Sequence, residues 1–304
     1  MTRILITGAT GYLGGHLCNQ IKNRKADIFG IYKNKHFEFE NIDLIKIDLN
    51  EDEEINLLFA DFKPDYVFHL AAVVPSKLKN VYESYVKQVN VEVTRKITSL
   101  CKSYNSFLIF TSSDLVYDEG DSIDENSPLN PSNLYAQTKL EAEKYIQEKG
   151  KFFIILRTAL MYGFSITHHK SFFDISFKQL HSGKTVKAFY DQYRCPLFVE
   201  DAAKFLTMFL DIKLKNDIMN FCGDEKLSRY EMLKTTAKVF QLNESLIQLT
   251  SCTEFSDYKM VKNLGLINSK MHNLGFFPNI FSENISYLKE NFFKYEKFLE
   301  LDEI

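Results

Sequence analysis

Apolar positions in the first half of the chain fall into short runs separated by amphipathic stretches. Arg3 to Thr7 is an apolar run closed by a glycine-rich turn, and Leu13 to Asn23 then carries helical spacing. Ala26 to Tyr32 and Leu44 to Ile47 read as buried strands. Glu51 to Phe62 reads as a helix with Ile55, Leu58 and Phe59 on one face. The alternation continues with a strand from Asp65 to Leu70, a long helix from Val81 to Tyr104 and a strand from Phe107 to Thr111. A helix from Pro131 to Lys149, with proline near its start, precedes a strand from Phe152 to Leu156. Strands that are apolar throughout must be covered on both faces, and the helices between them supply that cover. The pattern predicts an α/β fold with a doubly wound parallel sheet of the Rossmann-like kind over residues 1–162.

Beyond Tyr162 the regularity weakens. Ser171 to Ser182, Ala202 to Leu210, Ser228 to Phe240 and Asn284 to Leu301 read as helices, and Ser228 with Glu231 forms a capping box. Residues 163–304 read as a smaller, mixed C-terminal lobe for substrate, with some segments returning to the sheet.

Composition narrows the function classes. The 37 basic and 40 acidic residues give a net charge of −3, so no global positive field recruits nucleic acid. The five cysteines (Cys18, Cys101, Cys195, Cys222 and Cys252) lie far apart, which disfavours a disulfide framework or a zinc site and predicts buried, reduced thiols. No apolar stretch approaches the ~18 residues of a membrane span, and the N-terminus lacks signal-peptide character. The expectation is a cytoplasmic protein with neither membrane nor nucleic-acid partners. With Phe 27 and Trp 0, packing is led by phenylalanine. His168 and His169 have no third ligand at metal spacing, so no metal is expected. His69 reads as a strand-end residue, and Phe172-Phe173 and Phe276-Phe277 read as core or lobe contacts.

Chemistry begins at Thr7-Gly8-Ala9-Thr10-Gly11-Tyr12-Leu13-Gly14, directly after the first strand. A pyrophosphate bound at a helix N-terminus sits against backbone N–H groups, where a Cβ would hold it away. The last glycine lets the helix approach the sheet. This spacing resembles the extended type of the short-chain dehydrogenase/reductase superfamily. The resemblance implies dinucleotide contacts from Gly8, Thr10, Gly11, Tyr12, Leu13 and Gly14.

The adenosine ribose is discriminated at the end of the second strand, where an acid suits NAD and a cation suits NADP. Here Tyr32-Lys33-Asn34-Lys35 carries no carboxylate before Glu38, so charge favours NADP(H), with NAD(H) the alternative. By resemblance, Asp48 followed by Leu49 caps the adenine. The small residues Ala71 and Ala72, with Val73, let backbone lie along the cofactor, and Thr111 lines it.

Tyr135-Ala-Gln-Thr-Lys139 supplies Tyr-x-x-x-Lys, downstream of Ser112-Ser113-Asp114-Leu115-Val116-Tyr117. The spacing recurs at Tyr145/Lys149, Tyr230/Lys234 and Tyr258/Lys262, and context selects the first. The resemblance implies a catalytic set of Ser113, Tyr135 and Lys139, with Lys139 also binding the nicotinamide ribose. Reducing a ketone needs a proton on oxygen, and a free phenol with pKa about 10 donates poorly near neutrality. Lys139 lies one turn after Tyr135. An ammonium about 4 Å away at an effective dielectric of about 20 is worth about 4 kcal/mol, enough to lower the phenol by up to about 3 pH units. Ser113 would hydrogen-bond the carbonyl oxygen as charge develops.

Asp191 to Ala203 is similar to the family stretch Arg-x-Phe-Val-x-Val-Asp-Asp-Val-Ala, whose arginine clamps a substrate diphosphate, a role that falls on Arg194. Leu115 stands where a 4,6-dehydratase carries a second acid, which argues against dehydration. The run from Tyr117 to Pro131 resembles the dTDP-4-dehydrorhamnose reductase group, although that group usually has Thr at 113 and Gln at 12. The expected activity is NADPH-dependent reduction of a 4-keto, 6-deoxy nucleotide sugar, with Ser113, Tyr135 and Arg194 holding the substrate. The alternatives are an NAD-dependent 4-epimerase and a non-catalytic, NADP-binding subunit like the reductase-like subunit of methionine adenosyltransferase. A homodimer through the helices at 81–104 and 131–149 is the expected assembly.

Overall fold

Strands buried on both faces join edge to edge in the computed structural model, which describes residues 1–74, 82–254 and 260–300. In chain order the strands are β1 (Thr2–Thr7), β2 (Ala26–Tyr32), β3 (Asp43–Lys46), β4 (Tyr66–His69), β5 (Phe107–Ser113), β6 (Gly120–Ile123), β7 (Phe153–Thr158), β8 (Met161–Tyr162), β9 (Val186–Phe189), β10 (Tyr193–Arg194), β11 (Leu197–Phe198), β12 (Asp217–Phe221), β13 (Leu227–Ser228), β14 (Ile247–Thr250) and β15 (Leu264–Leu266). The helices are α1 (Tyr12–Ile21), α2 (Asp52–Phe62), α3 (Glu83–Lys87), α4 (Val93–Tyr104), α5 (Leu134–Lys149), α6 (Phe172–His181), α7 (Val199–Met208), α8 (Arg229–Phe240), α9 (Ser269–Asn273), α10 (Phe281–Glu290) and α11 (Glu296–Glu300).

The seven-stranded sheet runs β12-β7-β5-β4-β1-β2-β3 with every neighbouring pair parallel. The chain starts in the middle, winds outward to β3, and returns to build the other half. That reversal puts the carboxyl ends of β1, β4 and β5 together on one edge, where ligands of such sheets bind. Alternate residues serve opposite faces. Ile4 and Ile6 share a core with Leu13 and Leu17 of α1 and Phe205 and Leu206 of α7. Leu5 packs instead with Ile55 and Phe59 of α2, Ile97 of α4 and Ile146 of α5.

The structure departs from the sequence pattern at the sheet edge and in two of the helices, as well as in the short strands of the lobe. β12 was not anticipated, because its run of Asp217, Ile218, Met219, Asn220 and Phe221 mixes polar and apolar positions. The long helix expected from Val81 is α3 and α4 joined by a π-helical turn at Gln88–Glu92, and Val81 lies outside the described residues. The last helix is broken by a turn at Phe292–Lys294, where Phe292 folds onto Phe164, Phe177 and Phe240. Leu301 lies outside the described residues.

The lobe is stitched from two-stranded pairs, β6 with β15, β8 with β11, β9 with β14 and β10 with β13. Its core is aromatic, including Tyr162, Phe164, Phe173, Phe177, Phe198 and Phe281. Phe276 is buried and Phe277 exposed. All five cysteines are buried and unbridged. Among the described residues no helix is long and apolar enough to cross a membrane, and no His/Cys/Asp/Glu group could hold a metal.

Candidate functional site

The glycine turn leaves β1 with its backbone pressed against β4. Gly8 has φ +70°, and a Cβ there would lie 2.9 Å from the Ala71 nitrogen. A Cβ on Gly14 would lie 2.1 Å from the Gly8 carbonyl oxygen. Gly11 donates its N–H to Gly8 O at 2.9 Å, and no side chain caps the start of α1 at Gly11. Thr10 is part-buried in the turn and Leu13 is buried in the core. The result is a cradle of backbone N–H groups that fits a pyrophosphate. Tyr12, expected among the cofactor contacts, buries its side chain. Its hydroxyl donates to Gly163 O at 2.8 Å inside the protein, so only its backbone N–H is left for a phosphate.

At the far end of the cradle, the residues expected to hold opposite parts of an adenosine meet each other. Lys33 Nζ lies 2.6 Å from Asp48 Oδ2 and donates to the Tyr85 hydroxyl at 3.0 Å. Asp48 Oδ1 also accepts from the Asn50 backbone and side chain. Tyr32 is part-buried edge-on to His36, Leu49 is buried and Lys35 exposed.

Between the turn and α5 runs a buried chain of hydrogen bonds. Thr7 Oγ1 meets His69 Nδ1 at 2.7 Å, and His69 Nε2 meets Thr94 Oγ1 at 2.9 Å. Burial lowers the His69 imidazole to about 3, with the Lys139 charge adding, so the ring is neutral and bridges two hydroxyls. Asn90, in the π-helical turn, accepts from Val73 N and donates to Val73 O and to Thr138 Oγ1. This clamp fixes the strand leaving β4, on which Ala71 donates to Thr7 Oγ1 and Ala72 is exposed. Asn90 was missed from sequence. Its signal was an amide between Val89 and Val91 on a helix's apolar stripe, a place that demands partners.

Ser113, Tyr135 and Lys139 converge at the carboxyl end of β5. Lys139 is 1% exposed and donates to Thr111 O at 2.7 Å, with its ammonium 4.5 Å from the Phe110 ring centre and 5.9 Å from that of Tyr135. Thr111 Oγ1 donates to His69 O at 3.4 Å. Ser113 Oγ accepts from Leu115 N at 3.2 Å and donates to Asp114 Oδ1 at 3.3 Å. Ser112 Oγ is buried without a partner. The Tyr135 hydroxyl makes no hydrogen bond to the described residues.

The expected acidification of the phenol is not found. Burial pushes Tyr135 above its ordinary value and the Asp114 carboxylate adds to the effect. Lys139 takes the opposite course, lowered to about 7 by its own burial and only partly restored by Glu143. The physical reason is that desolvation acts on both partners, which a pairwise Coulomb argument omits. The site therefore presents a protonated phenol.

Beneath the trio, Glu143 sits one turn beyond Lys139 and is held by Arg157 of β7 through Nε (3.2 Å to each oxygen) and Nη2 (2.8 Å). Arg157 Nη1 also donates to the Tyr117 hydroxyl and Glu125 O, and Tyr117 donates to Asn220 Oδ1. The pair ties α5 to the segment after Ser113 and to the sheet edge. Beside the trio, Asp114 Oδ2 faces Arg194 Nε at 3.5 Å. Burial raises the Asp114 carboxyl, opposed by Arg194. Arg194 is 8% exposed and its remaining nitrogens donate to Tyr193 O and Val261 O, so the expected clamp is turned toward protein.

Residues 1–278 match the family described as RmlD substrate binding domain. The chain belongs to that family. Among relatives of this RmlD-type chain is methionine adenosyltransferase 2 subunit beta of Xenopus tropicalis, 29% identical over 250 residues, covering 80% of this chain and 73% of the relative. Solved structures of like fold include dTDP-4-dehydrorhamnose reductase from Bacillus anthracis in complex with NADP, with TM-score 0.82 and 18% identity over 96% of this chain and 99% of that one. UDP-glucose 4-epimerase of Thermus thermophilus in complex with NAD gives TM-score 0.81 and 22% identity over 96% and 99%. The RmlD-type chain thus has the doubly wound fold shared by nucleotide-sugar reductases and epimerases.

Proposed function

We propose that the protein reduces the 4-keto group of a nucleotide sugar, with NADPH as the preferred cofactor. The observation that carries this reading is the meeting of Ser113, Tyr135 and Lys139 beside the glycine cradle. A reduced nicotinamide, when bound, supplies hydride to the carbonyl carbon. Ser113 Oγ hydrogen-bonds the carbonyl oxygen and Tyr135 delivers the proton to it. Lys33 and Lys35, standing where an NAD enzyme carries an acid at the end of the second strand, speak against the NAD-dependent epimerase alternative. Lys139 binds the cofactor's nicotinamide ribose, and Thr111 O and Asn90 keep the surrounding backbone in register.

The NADP preference rests on Lys33 and Lys35. A 2′-phosphate would draw Lys33 from Asp48, and Lys35 is free to follow. A homodimer through α4 and α5 would bury a polar face on which Arg95 bridges Glu92 and Glu141. One observation favours a second reading. The named relative is a subunit of a methionine adenosyltransferase, which suits a non-catalytic nucleotide-binding subunit.

The deciding experiment is a turnover screen of 4-keto-6-deoxy nucleotide sugars with NADPH and NADH. Tyr135→Phe should abolish turnover and spare NADPH binding, and unchanged turnover would sink the mechanism. Lys33→Asp should shift preference toward NADH. NADPH binding with no turnover of any sugar would leave the subunit reading.

A further inference from the structure

Ser113 and Tyr135 must both reach one carbonyl oxygen, yet no hydrogen bond joins them. Ser113 Oγ is engaged with Leu115 N and Asp114 Oδ1, and the Tyr135 hydroxyl makes no hydrogen bond to the described residues. Ser113 ends β5 and Tyr135 lies in the first turn of α5. Two groups from different elements that serve one oxygen have to be held to within about 0.5 Å. Their spacing is therefore set from behind the site.

Behind the site lies a continuous chain of polar groups. Ser113 caps the short turn Asp114–Val116, and the turn ends on Tyr117, whose N–H donates to Asp114 O at 3.1 Å. The Tyr117 hydroxyl is engaged on both sides. It accepts from Arg157 Nη1 at 2.9 Å and donates to Asn220 Oδ1 at 2.7 Å. Arg157 carries the chain to Glu143, on the same helix as Tyr135. Asn220 carries it to the lobe. Its amide donates to Ile123 O of β6 and to Ile267 O, just past β15, each at 2.9 Å, and its backbone N–H donates to Glu125 Oε1 at 2.8 Å. Tyr117, Glu143, Arg157 and Asn220 are all sealed from solvent. Apolar residues of the same volume often hold such elements together at least as strongly. What directional bonds add is register, because a hydroxyl bonded between two fixed partners tolerates little sliding.

We propose that Tyr117 is a positioning residue that sets the spacing between Ser113 and Tyr135, by holding the turn after Ser113 against the helix of Tyr135. The proposal rests on the reductase reading for the reaction it serves. Because the same hydroxyl is bonded to Asn220, the β6–β15 pair of the lobe is fixed to the trio as well.

The test uses the full chain with Tyr117→Phe, which keeps the ring in the core and removes only the hydroxyl. NADPH affinity and KM should be unchanged, and kcat should fall about 10- to 100-fold, the scale of a displacement of about 1 Å at a reacting group. Glu143→Gln with Arg157→Met cuts the chain at its other link and should give the same split. A second readout needs no turnover. In cofactor-free protein containing meta-fluorotyrosine, the fluorine line of Tyr135, assigned through Tyr135→Phe, should shift or broaden when either link is cut. The line of Tyr145, further along the same helix and bonded to Ser99, should stay, whereas general loosening would move both. An unmoved Tyr135 line, a Tyr145 line that moves with it, an unchanged kcat, or a loss carried by KM alone overturns the proposal, as does failure of both variants to fold. A moved Tyr135 line in a chain that reduces no keto-sugar would remove the reductase reading and keep the positioning role.

Discussion

Replacing Arg157 by methionine leaves the Glu143 carboxylate sealed in the protein with nothing to neutralise it. The Glu143 side chain is 0% exposed and that of Arg157 3%, so solvent offers little screening. Removing one partner of such a pair costs about 3–5 kcal/mol. The carboxylate has one escape, which is to take up a proton. From an ordinary pKa of about 4.3, protonation at pH 7 costs about 3.7 kcal/mol, at 1.36 kcal/mol per unit, so this caps the charge penalty. Loss of the Arg157 bonds to the Tyr117 hydroxyl and Glu125 O adds about 1 kcal/mol. The expected loss is about 4–5 kcal/mol at pH 7.

The cap has a sign. In the variant the Glu143 carboxyl is raised in the folded chain, so the folded state binds more protons above about pH 4.3 and stability falls as pH rises. At pH 5.5 the charge penalty shrinks to about 1.6 kcal/mol. Urea denaturation followed by circular dichroism at both pH values measures the difference. An unfolding entropy of about 2.1 cal/mol/K per residue over 304 residues makes 4–5 kcal/mol equivalent to about 6–8 °C in thermal midpoint. Adding Glu143→Gln should recover most of the charge term. A loss below about 1 kcal/mol at pH 7, or the same loss at pH 5.5, would refute the claim that this pair is buried and isolated from water.

Further outcomes follow from the same geometry. Gly14→Ala drives a Cβ to 2.1 Å from Gly8 O, so the turn must open; NADPH binding, read by nucleotide fluorescence, should drop at least tenfold. Tyr12→Phe removes the bond to Gly163 O, and chemical denaturation should show a loss of about 1–2 kcal/mol with NADPH affinity unchanged. Lys139 is lowered from 10.5 to about 7 by burial, so the unfolded chain binds the extra proton between these values and stability rises with pH across that window. Lys139→Met should therefore stabilise the cofactor-free chain most below pH 7, with the gain fading toward pH 10, as melting curves across that range would show.

The sheet was legible because burial on both faces leaves a plain mark. Arg3–Thr7, Ala26–Tyr32 and Phe107–Thr111 have nearly the observed bounds of β1, β2 and β5. The glycine turn was legible for the same reason, since each glycine answers to a backbone approach. Partners across the fold were not. Nothing near Lys33 in the chain announces Asp48 and Tyr85, and nothing near Arg194 announces Asp114. The sign of the Tyr135 shift was misjudged because the sequence supplies a neighbouring charge but not the amount of water removed. β12 and the lobe pairs escaped because two- to five-residue strands with mixed polarity carry too little periodicity to stand out.

One consequence concerns the order in which the molecule can be made. The sheet is finished by β12, whose five residues arrive some sixty positions after the strand they flank, β7. Until the ribosome has released that segment, β7 is an open rim of unpaired amides, the surface on which newborn chains adhere to one another. Chaperone demand during synthesis should therefore peak between the emergence of β7 and that of β12. Fragments ending near residue 162 should be recovered as aggregates, whatever the stability of the completed protein.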